Sequence, residues 1–483
     1  MKCYLRFMKN RFLTAVLLLS SPHPLPAQSA FPPAGSCAFK AALAPQAVRS
    51  RGAFADPGIH VTHYRLRLRL TPSTGVLTGD VAALVVCAAD SLSSVMFDFS
   101  GSMTVDSVTG GGGSRPFAQF LQGMQVQLDR TYRRGETFLL DTYYRGTPAG
   151  SGFGSFVSTS QNGAPWVWTL SEPYGAGDWW PSKDDNGDKA DSLDMFVTVP
   201  AGLKAGSNGI LIAAQPNPDG TTTFHWSERY PIAAYLVSLA VTNYTEIDDW
   251  FAYTAADSMP IINYLLPSTA AAGTGALRET KEMLRIFSDA YGLYPFVREK
   301  YGHAEFGWGG AMEHQTMTST SNFVENTLSH ELAHQWFGDM ITCANWQSLW
   351  LNEGFAVFSE SVFLERYYGP AAYRAHIGSV MANALNATGT LYVQDTTTVA
   401  ALFNFNRVYA KGAWVLHMLR HVLGDSLFFR SMRAYAADAR FRYRSATTEG
   451  FRSVCESVAG KDLGYFFDEW VYGEGYPRYT YGW

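Results

Sequence analysis

Asn322–Phe355 reads NFVENTLSHELAHQWFGDMITCANWQSLWLNEGF, and two short patterns within it carry most of the chemistry of the chain. The first is His330-Glu331-Leu332-Ala333-His334. Asn322 and Glu325 have the spacing of a capping box, which predicts a helix over residues 322–337 with the pattern in its middle. Residues four apart share a helix face, so His330 and His334 are able to aim nitrogen at one metal ion. Glu331 then lies beside them, close enough to meet a metal-bound water without being a ligand. A catalytic zinc site needs a third protein ligand and one open position. Glu353, in Leu351-Asn352-Glu353-Gly354-Phe355, begins the next strong helical pattern. A short loop through Asp339–Gln347 would fold that helix back and bring Glu353 to the metal. The H-E-x-x-H pattern alone arises by chance in roughly one chain in a hundred of this composition. Its conjunction with a helix and a following Glu makes one zinc ion per chain the expectation.

Outward from this segment, the chain divides. From Asp56 to Tyr244 it reads as β structure. His60–Leu70 alternates, with Tyr64, Leu66, Leu68 and Leu70 on one face and His63, Arg65, Arg67 and Arg69 on the other, as a half-buried antiparallel strand does. Pro218-Asp219-Gly220 marks a hairpin, and Tyr235–Val241 a closing strand. After Ile247 the pattern turns helical, over 276–291, 353–368, 370–385, 410–423, 426–439, 448–459 and 463–472. The fold class expected is α+β, with a β domain over residues 50–246 and a mainly helical domain over 247–483.

The first thirty residues differ from the rest. Lys2, Arg6, Lys9 and Arg11 precede an apolar run from Phe12 to Leu19, then prolines and small residues, the layout of a secretory signal peptide over residues 1–30 with Met1 or Met8 as start. The run is too short to span a bilayer, and no transmembrane segment is expected elsewhere. Its removal takes away four positive charges and no acid, moving the net charge from −5 to about −9. No Lys/Arg cluster stands out, so nothing points to nucleic acid. Export predicts a secreted, periplasmic or cell-surface protein. Cys37, Cys87, Cys343 and Cys455 remain after removal, without metal-ligand spacing, and their pairing is open, as is the oligomeric state.

Two further motifs, and longer stretches around the first two, extend the pattern. Gly310-Ala311-Met312-Glu313, then HELAHQWFG at His330–Gly338, LWLNEGFA at Leu349–Ala356 and Tyr409-Ala410-Lys411-Gly412 together resemble the aminopeptidase N-like family of zinc peptidases, over nearly the whole mature chain. The resemblance implies a thermolysin-like catalytic domain acting on peptides with a free N-terminus. It implies that Glu313 binds the substrate α-amine, that Gly310, Ala311 and Met312 run beside the substrate backbone, and that Tyr409 stabilises the oxyanion. Glu172, in Leu170-Ser171-Glu172-Pro173, matches a position that helps hold the amine; on residue type alone it reads also as an ordinary exposed carboxylate. Tyr409, on residue type alone, reads as a packed helix-start aromatic.

The chain departs from the family at His314, where Asn is usual, at Asp339 in place of Asn, and at Ser348 in place of Asp. His314 leaves the substrate side open and is conceivable as a further metal ligand; Asp339 and Ser348 bear on the support of the ligands. Ending at Trp483, the chain has the length of a short or truncated member without the C-terminal domains. Two other readings stay open: an endopeptidase with an open cleft, and a catalytically silent binding protein on the same fold.

Overall fold

The structure, a computed structural model, describes residues 55–477. The expected signal peptide at residues 1–30 lies outside them, as does Cys37.

The strand Ile59–Thr71 buries Tyr64, Leu66, Leu68 and Leu70 and turns Arg67 and Arg69 to solvent. A bulge between Val61 and His63 shifts the alternation, so that Ile59 and Val61 also face inward. On one side the strand pairs antiparallel with Val76–Cys87; on the other it runs parallel to Leu193–Pro200, with Tyr64 opposite Leu193. The antiparallel expectation therefore holds for one neighbour only, because alternation fixes which face is buried and says nothing of strand direction. This strand is interior to an eight-stranded sheet, and its outward arginines are balanced across the sheet, Arg65 against Asp141 at 3.0 Å and Arg67 against Asp80 at 3.6 Å. The hairpin expected at Pro218-Asp219-Gly220 joins Ile210–Pro216 to Thr221–Glu228. The closing strand is shorter than expected, Leu239–Thr242, with Ala234–Leu236 forming a 3-10 turn before it.

Leu239–Thr242 belongs to a second sheet, of four strands, with Lys204–Ser207, Ala164–Leu170 and Ser155–Gln161. Where Ala164–Leu170 ends, the chain turns through Ser171, Glu172, Pro173 and Tyr174, all buried, with a cis peptide between Glu172 and Pro173. This turn is the part of the β region that reaches the site. Tyr174 and Tyr235 hold it from below by packing edge-on against Trp346, at 5.9 and 5.1 Å between ring centres.

Strand structure continues past Ile247, ahead of the helix expected over residues 276–291. Thr245–Ala252 and Ser258–Leu265 form a β-hairpin, and the boundary expected at 246 falls inside its first strand. Burial alternates along Thr245–Phe251, a period of two that places the segment in a sheet. The hairpin opens a five-stranded sheet that continues through Tyr301–Glu305 and Thr318–Thr320 to Ala311–Met312 at its edge.

Helices follow. The one carrying the histidine pattern spans Glu325–His334, so the pattern fills its last turns and not its middle. Its N-cap is Val324 without a side-chain bond; Asn322 instead accepts the Val324 amide at 3.2 Å, and the expected capping box does not form. Trp350–Tyr368 is the second site helix, and Pro370–Ala384 the third. The helix expected from Ala410 opens as a π-helical turn, Phe405–Lys411, and becomes regular over Gly412–Leu423. Such turns hold one more residue than the α-helical repeat and occur frequently at functional sites. One continuous apolar core runs through both regions, with Trp226 of the large sheet meeting Tyr264 of the five-stranded sheet at 6.3 Å. Cys87, Cys343 and Cys455 are buried free thiols, and among the described residues no helix is long and apolar enough to cross a membrane.

Candidate active site

His330 and His334 end the first site helix with both rings buried. The Nδ1–H of His330 donates to Glu360 Oε1 at 2.8 Å, and that of His334 to the Phe337 carbonyl at 3.0 Å. In the neutral rings both protons are thereby assigned to Nδ1, which leaves a lone pair on each Nε2. Gly338 permits the second bond: its φ is +140°, and a Cβ there would lie 3.0 Å from His334 Nδ1.

The two Nε2 atoms are 3.1 Å apart, and Glu353 Oε2 lies 3.2 Å from one and 3.3 Å from the other. Three electron-rich atoms at these distances repel unless a cation binds them together. A tetrahedral ion with ligands at about 2.0–2.1 Å separates those ligands by about 3.3–3.4 Å, so the triangle has the size of a zinc face. Two imidazoles and one carboxylate are also a catalytic zinc donor set, leaving a position for water or substrate. The residues present fit the metal.

Glu353 leans on a fourth group. Its Oε1 accepts the Tyr409 hydroxyl at 2.7 Å, from the π-helical turn. Tyr409 is fully buried and stacks over Phe405 at 5.7 Å, so it is packed as residue type suggests and also tied to the triad. The two helices meet backbone to backbone: a Cβ on Gly354 would lie 2.8 Å from Gly412 Cα, and one on Gly412 would lie 2.9 Å from Gly354 Cα.

Ala311–Met312 pairs with Thr320 and Ser319 and forms the outer edge of its sheet. Glu313 follows directly and is fully buried. Glu172 is only 1% exposed, so the reading of it as an ordinary surface carboxylate does not hold. One oxygen each of Glu172, Glu313 and Glu353 lie within 4.8 Å of one another, and the same limit holds for the ligand atoms of Glu313, Glu331 and His334. The structure thus gathers the two histidines, the four glutamates and Tyr409 around one point, Glu172 from the β region included. Its negative field is felt nearby: burial, then Glu313 and Glu172, push the Tyr235 hydroxyl well above its ordinary range.

The three departures resolve differently. His314 bonds Ser319 Oγ through Nδ1 at 2.9 Å, and among the described residues no group of prospective metal ligands includes it. Asp339 is fully buried next to the site helix, its amide donating to the His334 carbonyl at 2.9 Å. Burial, then Glu313, push its carboxyl well above the carboxylate range, against the opposing pull of Lys189. Ser348 donates its amide to Asn345 Oδ1 at 3.1 Å and so shapes the turn before the second helix.

Sequence reasoning missed three supporting residues. Gln335 accepts the Thr316 amide at 2.9 Å and fixes the turn after Glu313. Asn352 accepts the Cys343 amide at 3.0 Å and so ties the loop between the site helices to the ligand helix. Glu360, the partner of His330, carried a readable signal: it lies seven residues after Glu353, two turns on along the same helix. Burial raises its pKa, but hydrogen bonds from His330 and His376 outweigh that and hold it below the ordinary glutamate value.

Two family descriptions match the chain, the peptidase M1 N-terminal domain over residues 60–236 and the peptidase family M1 domain over residues 309–470. A "Probable aminopeptidase 1" of Saccharolobus solfataricus is 25% identical over 59% of this chain and 38% of its own length. "Aminopeptidase N" of Lactococcus lactis is 34% identical over 31% of this chain and 18% of its own length. The chain thus spans well under half the length of these relatives. The crystal structure of an M1 zinc metallopeptidase from Deinococcus radiodurans superposes with a TM-score of 0.78 at 29% identity, covering 87% of this chain and 95% of the other. A mutant of an M1 zinc metallopeptidase from Deinococcus radiodurans, bound to a Tyr-Ser-Ala substrate, matches with a TM-score of 0.76 at 27% identity, over 87% of this chain and 96% of the other.

Proposed function

The chain belongs to peptidase family M1, and from that premise we propose that it is a zinc aminopeptidase, releasing residues one at a time from the N-termini of peptides. His330, His334 and Glu353 hold one zinc ion, which when bound supplies a Lewis acid for the scissile carbonyl and lowers the pKa of water. The observation that carries the exopeptidase reading is the convergence of Glu172, Glu313 and Glu353 within 4.8 Å, all buried. Carboxylates gathered this closely form a negatively charged recess, and a substrate α-ammonium suits it through charge-assisted hydrogen bonds.

In this reading each residue has one task. The edge Gly310–Met312 pairs with the substrate backbone and sets its register. Glu313 and Glu172 hold the ammonium, so that only the first peptide bond reaches Glu331 and Tyr409. Glu331 takes the proton of the attacking water and returns it to the leaving amine. Tyr409 turns its hydroxyl from Glu353 toward the carbonyl oxygen as negative charge develops there. Export through the N-terminal leader belongs to the same proposal and rests on the basic, then apolar, layout of the first thirty residues.

The test is a panel of aminoacyl fluorogenic amides beside the same peptides with acetylated N-termini, each with and without chelator. Free-amine substrates should be cleaved and acetylated ones barely touched, and chelator should abolish turnover. Equal cleavage of both would replace this reading with the open-cleft endopeptidase. No cleavage in either, with zinc bound, would favour the silent binding protein.

A further inference from the structure

Glu360 is only 2% exposed, and its two oxygens are divided between two imidazoles. Oε1 accepts from His330 Nδ1 at 2.8 Å; Oε2 accepts from His376 Nε2 at 3.2 Å. His376 is 6% exposed and stands on the third helix, Pro370–Ala384, which contributes nothing else to the site described above. A carboxylate only accepts, so Nε2 of His376 carries a proton; in the neutral ring Nδ1 then accepts the Ser361 hydroxyl, at 2.8 Å. The donors line up in one order, from Ser361 to His376 to Glu360, with His330 donating from the other end.

We infer that His376 is a positioning residue for the metal site, acting through Glu360 on His330. By occupying Oε2 it stops the carboxylate from rotating and keeps Oε1 on His330 Nδ1. That bond fixes the His330 tautomer and ring plane, and the negative charge behind the ring makes its Nε2 a stronger donor to a cation. Without His376 the buried Oε2 loses its donor, and the carboxylate either turns toward His330 or takes up a proton. Either change loosens a metal ligand that His376 never touches. Ser361 serves the same end one step further out, by holding the proton of His376 on the nitrogen that faces Glu360.

This rests on the zinc reading, and the experiment separates the two. Zinc affinity is measured by competition with a chelating dye for wild type, His376→Leu, His376→Gln and Ser361→Ala, with circular dichroism and thermal melting to establish folding. Loss of such an outer partner weakens metal binding by about 10- to 100-fold, and that is the effect expected for His376→Leu. His376→Gln offers an amide N–H to Glu360 and should stay within about threefold of wild type; Ser361→Ala should fall between the two. With zinc saturating, kcat of His376→Leu should drop while KM holds, because the substrate contacts are intact. A folded His376→Leu that binds zinc as wild type does, or a Gln variant as weak as the Leu variant, overturns the inference. Should His376→Leu fail to fold, a Ser361→Ala protein equal to wild type overturns it instead. Wild type that takes up no zinc overturns the metal reading and this one with it, a result visible before any variant is made.

Discussion

Two buried clusters of ionisable groups flank the segment of Gln315 and Thr316, Lys300 bonding Thr316 from one and Gln335 bonding it beside the other, and they handle their charge in different ways. In the scaffold cluster, Glu228 and Glu299 accept the amides of Tyr230 and Arg229 at 3.0 and 2.7 Å, and Lys300 donates to Thr316 O at 3.0 Å and Oγ1 at 3.2 Å. Burial, then Glu299, raise Glu228 far above the carboxylate range, while burial lowers Lys300. Each member of this group is met by hydrogen-bond partners from the scaffold itself. In the site cluster the lone pairs of His330, His334 and Glu353 converge on one point at 3.1–3.3 Å, with Glu172, Glu313 and Glu331 close by. Under the proposed function a metal ion and a substrate ammonium bring positive charge to it. Burial of charge is common to both; convergence of donor atoms on one point marks the site.

This contrast can be broken in four ways, beginning with the largest effect. Glu331→Gln should lose about 10²- to 10⁴-fold in turnover, and Tyr409→Phe about 10²- to 10³-fold, both measured on folded protein with zinc saturating. Near-normal turnover of either would remove that residue from the chemistry. Lys300→Met should do the reverse. Leaving the buried Thr316 oxygens without the Lys300 donor should cost about 1–3 kcal/mol of stability in denaturant titrations, yet kcat/KM of the folded fraction should stay within about threefold. A larger loss of activity would mean that the scaffold cluster sets the geometry of the Thr316 turn and is not separable from the site.

Glu313→Ala comes third. It should lower kcat/KM on free-amine substrates about 10- to 100-fold and leave the weak turnover of acetylated peptides alone, with Glu172→Ala repeating the pattern less strongly. A uniform loss on both substrate types would refute ammonium recognition. The smallest effect is a pH dependence on the scaffold side. Burial brings the His303 imidazole down to about 3 from its ordinary 6.5. Between those values the unfolded chain takes up a proton that the folded protein refuses, so stability falls as pH drops through this window. At pH 4.5 this should cost about 2.5 kcal/mol relative to neutral pH, a loss that His303→Gln should not suffer. Equal acid sensitivity in the variant would show that His303 is protonated in the fold.

Legibility in the sequence followed the range of the interaction. His330, Glu331 and His334 could be read because helical spacing alone places them on neighbouring faces. Glu353 needed only a short return loop. Glu313 and Tyr409 were found through the motifs around them, and Glu172, far away in the β region, through a weaker match of the same kind. What stayed hidden depends on tertiary choice. Asn322 had the spacing of a cap and spent its side chain on the turn at Val324 instead. The extra residue of the π-helical turn leaves the apolar pattern before Gly412 unchanged. His376 faces Glu360 only because a third helix folds across the second, and no local pattern records that crossing. Strand direction was equally silent: the alternation of Tyr64–Leu70 suits a parallel neighbour as well as an antiparallel one.

The meeting of Gly354 with Gly412 has a consequence for how the protein tolerates change. Because main chain touches main chain there, the spacing between the Glu353 carboxylate and the Tyr409 hydroxyl does not depend on the rotamer of any intervening side chain. The polypeptide between the two contact points is therefore released from the task of setting that spacing. Much of it is at the surface, with Leu385, Asn386, Thr388, Gln394, Asp395 and Thr397 all exposed. An epitope, a fluorophore site or a short foreign loop grafted between Asn386 and Gly389 should leave the phenol where it is. A single methyl group at Gly354, adding almost nothing to the mass of the protein, should not.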